Sequence, residues 1–179
     1  MVQQVPRVRG RTVEVQNHKV ISVMQPWASL LVKRFRGNDG HLRQPWKRYE
    51  TRSWETMYRG PLLIHSSAGL PKWVYDLCHA YNEFFDPWFD MAGPLDRLPR
   101  GCIVGKVDLV DCHYINRKFE CDLFGFDHSR NIREWHFGDF EHGRFAWFCN
   151  NAVAFDNPIP AKGRLGLWNW QGELPGLVE

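Results

Sequence analysis

The sequence lacks three features that would each assign it to a particular class of protein. It has no apolar run long enough to cross a bilayer and no hydrophobic signal segment. Its five cysteines are odd in number, and no two of them have CxxC spacing. A secreted disulfide framework is therefore not indicated. Reduced thiols favour an intracellular protein of the nucleus or cytoplasm.

Patterns of metal ligands are also missing. Cys112 and His113 are adjacent, so on a strand their side chains would point to opposite faces. No second ligand pair follows at the spacing of a zinc site. We therefore expect no metal and no cofactor, and we expect the cysteines to be ordinary buried thiols.

Aromatic residues are abundant. They make up 15% of the 179 residues, with nine Trp and twelve Phe, and 44% of the chain is apolar. This is enough bulky side-chain area for one core without covalent links, although some rings could instead stack on planar ligands. We expect residues 1–18 to form a basic, flexible arm and residues 19–179 to form a single domain.

Positive charge is concentrated in the first third of the chain. Residues 1–59 contain twelve Lys or Arg and four Asp or Glu, whereas residues 60–179 contain eleven and sixteen, respectively. Such a distribution is typical of a protein with a positive face, and the usual partner of that face is nucleic acid. The alternative is that residues clustered in the sequence are dispersed over the folded surface.

Strand and helix patterns alternate in the first half of the chain. Residues 20–24 predict a buried strand, and Pro26 then suits the first position of a short helix. A second helix is predicted from Pro71, with apolar residues at intervals of three and four. Asp86-Pro87 should end that helix, because proline disfavours the helical conformation of the residue before it.

The second half consists mainly of strands. A long strand is expected over residues 101–115, with a bulge at Gly105 because the apolar residues change phase there. Residues 116–143 predict an elaborated loop with one short helix, and two further strands follow. Strands joined without helices pair mostly antiparallel. The whole pattern predicts an α+β fold, with a curved sheet or small barrel and two packed helices.

The segment KRYETRSW, residues 47–54, places a carboxylate among three cations. On a regular strand, Glu50 and Arg52 share one face, and Lys47 joins them only if the strand begins after it. One interpretation is a solvated Glu50–Arg52 ion pair, worth about 0–1 kcal/mol. A second assigns Lys47 and Arg52 to phosphate oxygens, with Glu50 orienting Arg52 or accepting a hydrogen bond from a base or sugar. A third is a hydrolytic site, in which a desolvated Lys47 is the base or nucleophile and Glu50 transfers a proton.

Other candidate ligands lie on either side of this segment. Gln25 and Ser29 lie at the start of the first helix, where free N–H groups bind anions, and Trp27 could stack on a base. The remaining candidates for a nucleic-acid-binding surface are Ser53, Trp54, Arg59, His65, Ser66, Lys162 and Arg164. For each of these residues a purely structural role, in the core, in a turn or in a solvated loop, is the alternative.

Several segments together resemble one known family. In the order ISVMQPWASLLVKRFRG, KRYETRSW, LPRGCIVGKVDLVDC and PIPAKGRLGLWNW, they resemble an ASCH domain over about residues 19–171. The family pattern Gly-x-Lys-x-x-Glu-x-Arg is matched at Lys47, Glu50 and Arg52. Pro45 replaces the glycine, and the turn before it is longer than in the family.

The resemblance implies a small β-barrel of the PUA-like superfamily, with helices beside a cleft. That class is associated with RNA and other nucleic acids. We therefore expect an RNA- or DNA-binding domain with a positively charged cleft, acting in transcription coactivation or RNA regulation, whose affinity falls as salt rises.

Two alternatives stay open at this point. Some bacterial relatives resemble small hydrolases of acetylated cytidine or of RNA, so an amidohydrolase or ribonuclease using Lys47 and Glu50 is one alternative, although a non-enzymatic role is favoured. The other is a protein-interaction module of a transcription or translation-control assembly.

Overall fold

A curved six-stranded sheet is the main element of the fold. The structure, a computed structural model, describes residues 16–175. The strands are β1 (Gln16–Val23), β2 (Phe35–Arg36), β3 (Leu42–Arg43), β4 (Tyr49–Arg52), β5 (Gly60–Ser66), β6 (Cys102–Tyr114), β7 (Phe145–Pro160) and β8 (Leu167–Gly172). The sheet order is β4-β7-β6-β5-β1-β8, and β2 and β3 form a separate hairpin. The α+β prediction is confirmed.

Five short α-helices pack around the sheet. They are α1 (Trp27–Val32), α2 (Lys72–Ala80), α3 (Asn82–Ala92), α4 (Arg117–Phe124) and α5 (Ile132–His136). A single turn of 3-10 helix follows α3 at Leu95–Arg97. None of the helices in the described part of the chain is long and apolar enough to cross a membrane.

The prediction that Asp86-Pro87 ends the second helix is wrong. The break lies earlier, at Tyr81, whose φ of −118° and ψ of 38° leave the helical region. Helix α3 then continues through Pro87. Phe85 and Trp88, on either side of the proline, are buried in the same apolar cluster. Their burial offsets the loss of the backbone hydrogen bond that Pro87 cannot donate, so the helix continues.

The predicted bulge in β6 is confirmed. Ile64 of β5 pairs with Gly105, whereas the next residue, His65, pairs with Ile103, so β6 contains one extra residue. A Cβ atom on Gly105 would overlap the carbonyl oxygen of Val153 on β7. Glycine at this position therefore allows β6 and β7 to approach each other below α1.

One pair of neighbouring strands in the sheet is parallel. Strands β1 and β5 run in the same direction, and the other pairs of the sheet are antiparallel. The carboxyl ends of β1 and β5 therefore meet at one end of the sheet, where β1 leads into α1. Helix α1 packs its buried face on the sheet, and the central cluster includes Ile21, Leu31, Leu62, Val107 and Trp147.

The sheet curls but does not close into the β-barrel that the resemblance implied. The edge strands β4 and β8 do not pair with each other in residues 16–175. Instead Arg52, at the end of β4, donates a hydrogen bond of 2.9 Å to the carbonyl oxygen of Ser22. Ser22 lies on β1, four strands away in the sheet order. A side-chain contact thus takes the place of backbone pairing, and we call this gap between β4 and β1 the seam.

The predicted basic arm falls mostly outside the described residues. It was placed at residues 1–18, of which residues 1–15 are not described, and β1 begins at Gln16. The predicted loop over residues 116–143 contains two short helices, α4 and α5, where one was expected.

Candidate functional site

A cleft of about 1170 Å³ opens beside the seam, where β1 ends. The end of β1, strand β4 and the residue Lys47 before it form one side. Residues of α1, α2 and α4 and the segment 135–144 form the others. The cleft therefore draws on both halves of the chain and has the size of a pocket for a small planar ligand or for part of a polymer.

Aromatic side chains form much of the lining: Trp27, Trp73, Tyr81, Trp135, Phe137 and Phe140. Trp27 and Trp73 stack, with ring centroids 5.8 Å apart and planes 26° from parallel. Trp73 is 49% exposed although it belongs to this pair. An exposed indole held by a second indole is a preformed surface for stacking on a planar group.

Sequence reasoning missed the contribution of α2 to this surface. Trp73, Leu77 and Tyr81 all line the cleft and follow one another at intervals of four, so they share one face of the helix. Val74 and Cys78, which are buried, lie on the neighbouring face. The two stripes merge into one apolar pattern in the sequence, and the separate spacing of Trp73, Leu77 and Tyr81 was the signal that could have distinguished them.

Lys47 lies in the floor of the cleft rather than at its surface. Its side chain is 1% exposed. The ammonium group donates hydrogen bonds to the carbonyl oxygens of Tyr49 and Phe137 and lies 3.8 Å from a carboxylate oxygen of Glu50. Strand β4 begins at Tyr49, after Lys47, which is the condition that brings Lys47 and Glu50 to the same side. The ammonium group is thus already hydrogen-bonded and ion-paired within the protein. Its contacts join β4 to the segment after α5.

A second buried charge supports the same strand. Glu134 of α5 accepts hydrogen bonds from the backbone N–H groups of Arg48 (2.6 Å) and Tyr49 (3.0 Å). Burial raises the pKa of Glu134, while the charge of Lys47 and the two backbone donors oppose that rise. The carboxylate thereby provides partners for N–H groups at the start of an edge strand, which would otherwise need water.

Arg52 is the more accessible of the two predicted cations. Its side chain is 24% exposed and lines the cleft. One terminal nitrogen contacts both Glu50 Oε1, at 2.9 Å, and the Ser22 carbonyl oxygen. Glu50 therefore orients the guanidinium, as one of the sequence interpretations required. The exposed part of the guanidinium remains available to an oxygen atom of a ligand.

The described residues that line the cleft carry balanced charge. The cations are Lys47, Arg52, Arg117 and Arg144, and the carboxylates are Glu50, Glu120, Asp139 and Glu141. Arg117 pairs with Glu120 at 3.1 Å, and Arg144 pairs with Asp139 at 3.2 Å. The expected excess of positive charge is therefore absent from this lining.

The other basic residues of the first third that the structure describes do not gather around the cleft. Lys33 donates a hydrogen bond to the last residue of α3. Arg43 forms an ion pair within the β2–β3 hairpin, and Arg59 forms one with β6. Only Lys47 and Arg52 of the described basic residues before β5 line the cleft. The charge asymmetry of the sequence is thus largely dispersed in space.

Glu120 organises the wall that α4 contributes. Its carboxylate is 9% exposed and accepts hydrogen bonds from His128 (2.7 Å), His142 (3.1 Å) and Arg117 (3.1 Å). Burial alone would raise the pKa of Glu120, but the three hydrogen bonds, that of His142 foremost, lower it. One carboxylate thus ties together α4, the turn after it and the residues just before β7.

Gln25 and Ser29 are buried and bonded to each other. The Gln25 amide nitrogen donates to Ser29 Oγ (2.9 Å) and to the carbonyl oxygen of Pro99 (2.7 Å), and its oxygen accepts from the Ser29 backbone N–H (3.2 Å). These bonds fix the start of α1, and the burial of both side chains keeps them away from a ligand in the cleft. Trp27, between them in the sequence, is the residue of this segment that reaches the cleft.

Seven other predicted residues lie outside the lining of the cleft: Ser53, Trp54, Arg59, His65, Ser66, Lys162 and Arg164. Trp54 packs edge-on against the buried Trp147, with centroids 4.6 Å apart. His65 and Ser66 are buried at the end of β5, whereas Lys162 and Arg164 are exposed on the loop between β7 and β8.

The cysteines and histidines form no metal site in the described residues. No group of three or more His, Cys, Asp or Glu side chains in residues 16–175 is arranged to hold an ion. All five cysteines are free thiols. Burial, together with the charge of Asp86, raises the pKa of Cys78 to about 12, so this thiol is unreactive at neutral pH.

Comparisons with known proteins agree with the geometry. The sequence model of the ASCH domain matches residues 40–159. Activating signal cointegrator 1 of Homo sapiens is 32% identical over 166 residues, which cover 89% of this chain and 24% of that protein. The Mus musculus protein of the same name is 31% identical over the same coverage. The chain therefore spans about a quarter of the length of the curated relatives that it matches.

Proposed function

Because the chain belongs to the ASCH domain family, we propose that it binds single-stranded nucleic acid, RNA or DNA, in the cleft beside the seam. The observation that carries the proposal is the exposed Trp27–Trp73 stack in the cleft. Stacking of a base on an aromatic side chain contributes roughly 1–3 kcal/mol and tolerates every base. The relatives are named as cointegrators of an activating signal, which is compatible with a setting in transcription.

The balanced charge of the cleft favours a single strand over a duplex. A duplex presents its phosphates outward and needs a broad positive surface. Each cation of the lining has a carboxylate within 4 Å, so such a surface is not offered by the cleft. A single strand can turn its bases into the aromatic lining and bring a phosphate to Arg52. Affinity then comes mainly from stacking, with a smaller share from phosphate contacts.

The hydrolase alternative is weakened by the setting of Lys47. A lysine base or nucleophile needs a free amine in contact with the substrate. The ammonium group of Lys47 already donates to two carbonyl oxygens and faces Glu50. With a side chain that is 1% exposed, it acts as a buried support for β4.

A peptide is the second candidate for the cleft. The observation that favours it is the exposed apolar face of α2, formed by Trp73, Leu77 and Tyr81 beside ion-paired side chains. Grooves of this kind take aromatic or aliphatic anchors of a partner protein. Substitution of Trp73 separates the two candidates. Only a nucleic-acid site binds labelled oligonucleotides and loses affinity for them when Trp73 is replaced.

Substitution of Trp73 tests the proposed function. We expect Trp73→Ala to weaken binding of fluorescein-labelled single-stranded RNA and DNA about tenfold, since it removes one stacking surface. The side chain is half exposed, so the fold should be retained. Phe126→Ala is the matched control, because Phe126 is 84% exposed and does not line the cleft.

Fluorescence anisotropy at low salt, with duplexes of the same sequence alongside, provides the measurement. If the unaltered protein binds none of these oligonucleotides, nucleic-acid binding is excluded. If Trp73→Ala and the control bind as the unaltered protein does, binding occurs elsewhere on the surface.

A further inference from the structure

The loop between β7 and β8 exposes a leucine directly after two cations. Leu165 is 99% exposed, the most exposed large apolar side chain in the described part of the molecule. Lys162 and Arg164 are also exposed. Isolated apolar residues are common on protein surfaces. This one differs because the loop that presents it is held in place from several sides.

Four contacts hold the loop. The Ser22 hydroxyl donates to the carbonyl oxygen of Arg164 at 3.0 Å. At the start of the loop, the backbone N–H of Ala161 donates to the carbonyl oxygen of Gly101 at 3.1 Å, and the Ala161 carbonyl oxygen accepts from His65 at 3.0 Å. Gly163 packs so closely that a Cβ atom there would lie 2.6 Å from the His65 ring. The backbone of residues 161–164 is therefore held in place, and Leu165, which follows it, extends into water.

The same contacts place the loop beside the cleft. Ser22 lines the cleft and accepts the hydrogen bond of Arg52 through its carbonyl oxygen, while its hydroxyl group binds Arg164. One residue of β1 thus separates the guanidinium of the cleft from the backbone of the loop. A strand that leaves the cleft past Arg52 on this side meets Arg164 and Leu165 next.

We propose that Leu165 inserts between two neighbouring bases of the bound strand while Lys162 and Arg164 contact the phosphates beside them. This inference rests on the proposed function of the cleft. Proteins that contact the minor groove of DNA through Arg and Lys insert apolar side chains between base steps and unstack the bases in this way. The insertion supplies the apolar cover that Leu165 lacks in the free protein.

A membrane surface is the other partner that a basic and apolar loop could contact. Stable membrane binding needs a larger apolar area than one side chain, such as the whole face of an amphipathic helix. The position of the loop next to the aromatic cleft therefore favours nucleic acid.

The test uses single-stranded oligonucleotides that carry one 2-aminopurine, whose fluorescence rises when it is unstacked. We expect the unaltered protein to raise this fluorescence at one position of the strand, and Leu165→Ala to abolish the rise. Leu165→Ala should weaken binding about five- to tenfold, because part of a leucine side chain is no longer buried. The dependence of affinity on salt should stay unchanged, since no charge is lost.

Two further variants make the result specific. Arg164→Gln should make the slope of log K against log salt shallower by about 0.7 units, because it removes one phosphate contact to a single strand. Met57→Ala is the matched control for exposure. Met57 is 85% exposed. It lies shortly before Gly60, the first residue of β5, whereas Ser66 is the last residue of that strand. The Met57→Ala variant should bind the oligonucleotides as the unaltered protein does.

The outcomes distinguish this inference from the proposed function. No binding by the unaltered protein overturns both. Binding with no change in 2-aminopurine fluorescence, or an equal affinity for Leu165→Ala, overturns the insertion alone. An equal loss in Met57→Ala also overturns it. Binding to vesicles that contain phosphatidylserine is measured in parallel. If Leu165→Ala weakens binding to these vesicles but not to the oligonucleotides, the loop is a membrane contact and the insertion is excluded.

Discussion

At the floor of the cleft, the ammonium group of Lys47 contacts oxygen atoms from three other residues. They are the carbonyl oxygens of Tyr49 and Phe137 and the carboxylate of Glu50. Glu134 lies close enough for the charge of Lys47 to oppose the rise in its pKa. Removal of one member of such a buried set leaves the others without compensation.

We expect Lys47→Met to lower the free energy of unfolding by about 3–5 kcal/mol, because the buried Glu134 loses a counter-charge and two carbonyl oxygens lose their donor. Urea denaturation followed by circular dichroism measures this change. The double variant Lys47→Met with Glu134→Gln should lose less than the sum of the two single changes, because the residues belong to one network. A stability equal to that of the unaltered protein would mean that the lysine is free to serve a ligand.

At the scale of elements, the wall built from α4 and α5 depends on Glu120. The carboxylate receives three hydrogen bonds in a largely buried position, and its pKa is lowered overall. A group whose pKa is lowered on folding stabilises the fold above its ordinary pKa, about 4.5. That contribution is lost as the pH falls below this value and through the lowered pKa.

We expect Glu120→Gln to lower the free energy of unfolding at pH 7 by about 1.5–3 kcal/mol, the range for hydrogen bonds to charged groups. The difference from the unaltered protein should narrow as the pH falls from about 5 to about 3, because protonation removes the same charge. Urea denaturation across this pH series measures both effects.

Lys118→Gln, on the same helix, is the control for the Glu120 variant. Lys118 pairs with Asp122, and both side chains are well exposed. Exposed pairs of this kind contribute little to the free energy of unfolding. A constant difference between Glu120→Gln and the unaltered protein at every pH would contradict the proposed role of the carboxylate.

Elements that depend on local rules could be predicted from the sequence, and those that depend on distant packing could not. The phase change of the apolar residues indicated the bulge at Gly105, because a sheet allows two faces only. The same rule set the condition that β4 must begin after Lys47 for Lys47 to join Glu50, and the structure meets that condition. By contrast, α3 continues through Pro87 because distant apolar partners bury its neighbours. Likewise, the cleft wall of α2 was missed because Trp73 resembles a core residue until the opposite wall is known.

At the scale of the whole molecule, the uneven charge of the sequence does not become one positive face within residues 16–175. Arg43 pairs within the β2–β3 hairpin, and Arg59 pairs with β6. The lining of the cleft carries equal numbers of cations and carboxylates. The number of phosphates that the described residues around the cleft can neutralise is therefore small. The candidates near the cleft are Arg52 and the two cations of the β7–β8 loop.

We expect a shallow dependence of nucleic-acid affinity on salt. Three phosphate contacts on a single strand give a slope of log K against log salt of about −2. Anisotropy titrations over a series of salt concentrations measure the slope. A slope steeper than about −4 would point to a broad basic surface, to which residues outside the cleft contribute.

The hydrogen bond between Arg52 and Ser22 also determines how the domain can adapt. Because a single guanidinium spans the seam, rotation of one side chain can widen the mouth of the cleft while every strand keeps its neighbours. In the proposed complex, a phosphate oxygen that arrives there would compete with the Ser22 carbonyl oxygen for the same donor, so occupancy and widening would occur together. We therefore expect purines and pyrimidines to be admitted alike, and strandedness to be discriminated more sharply than base sequence.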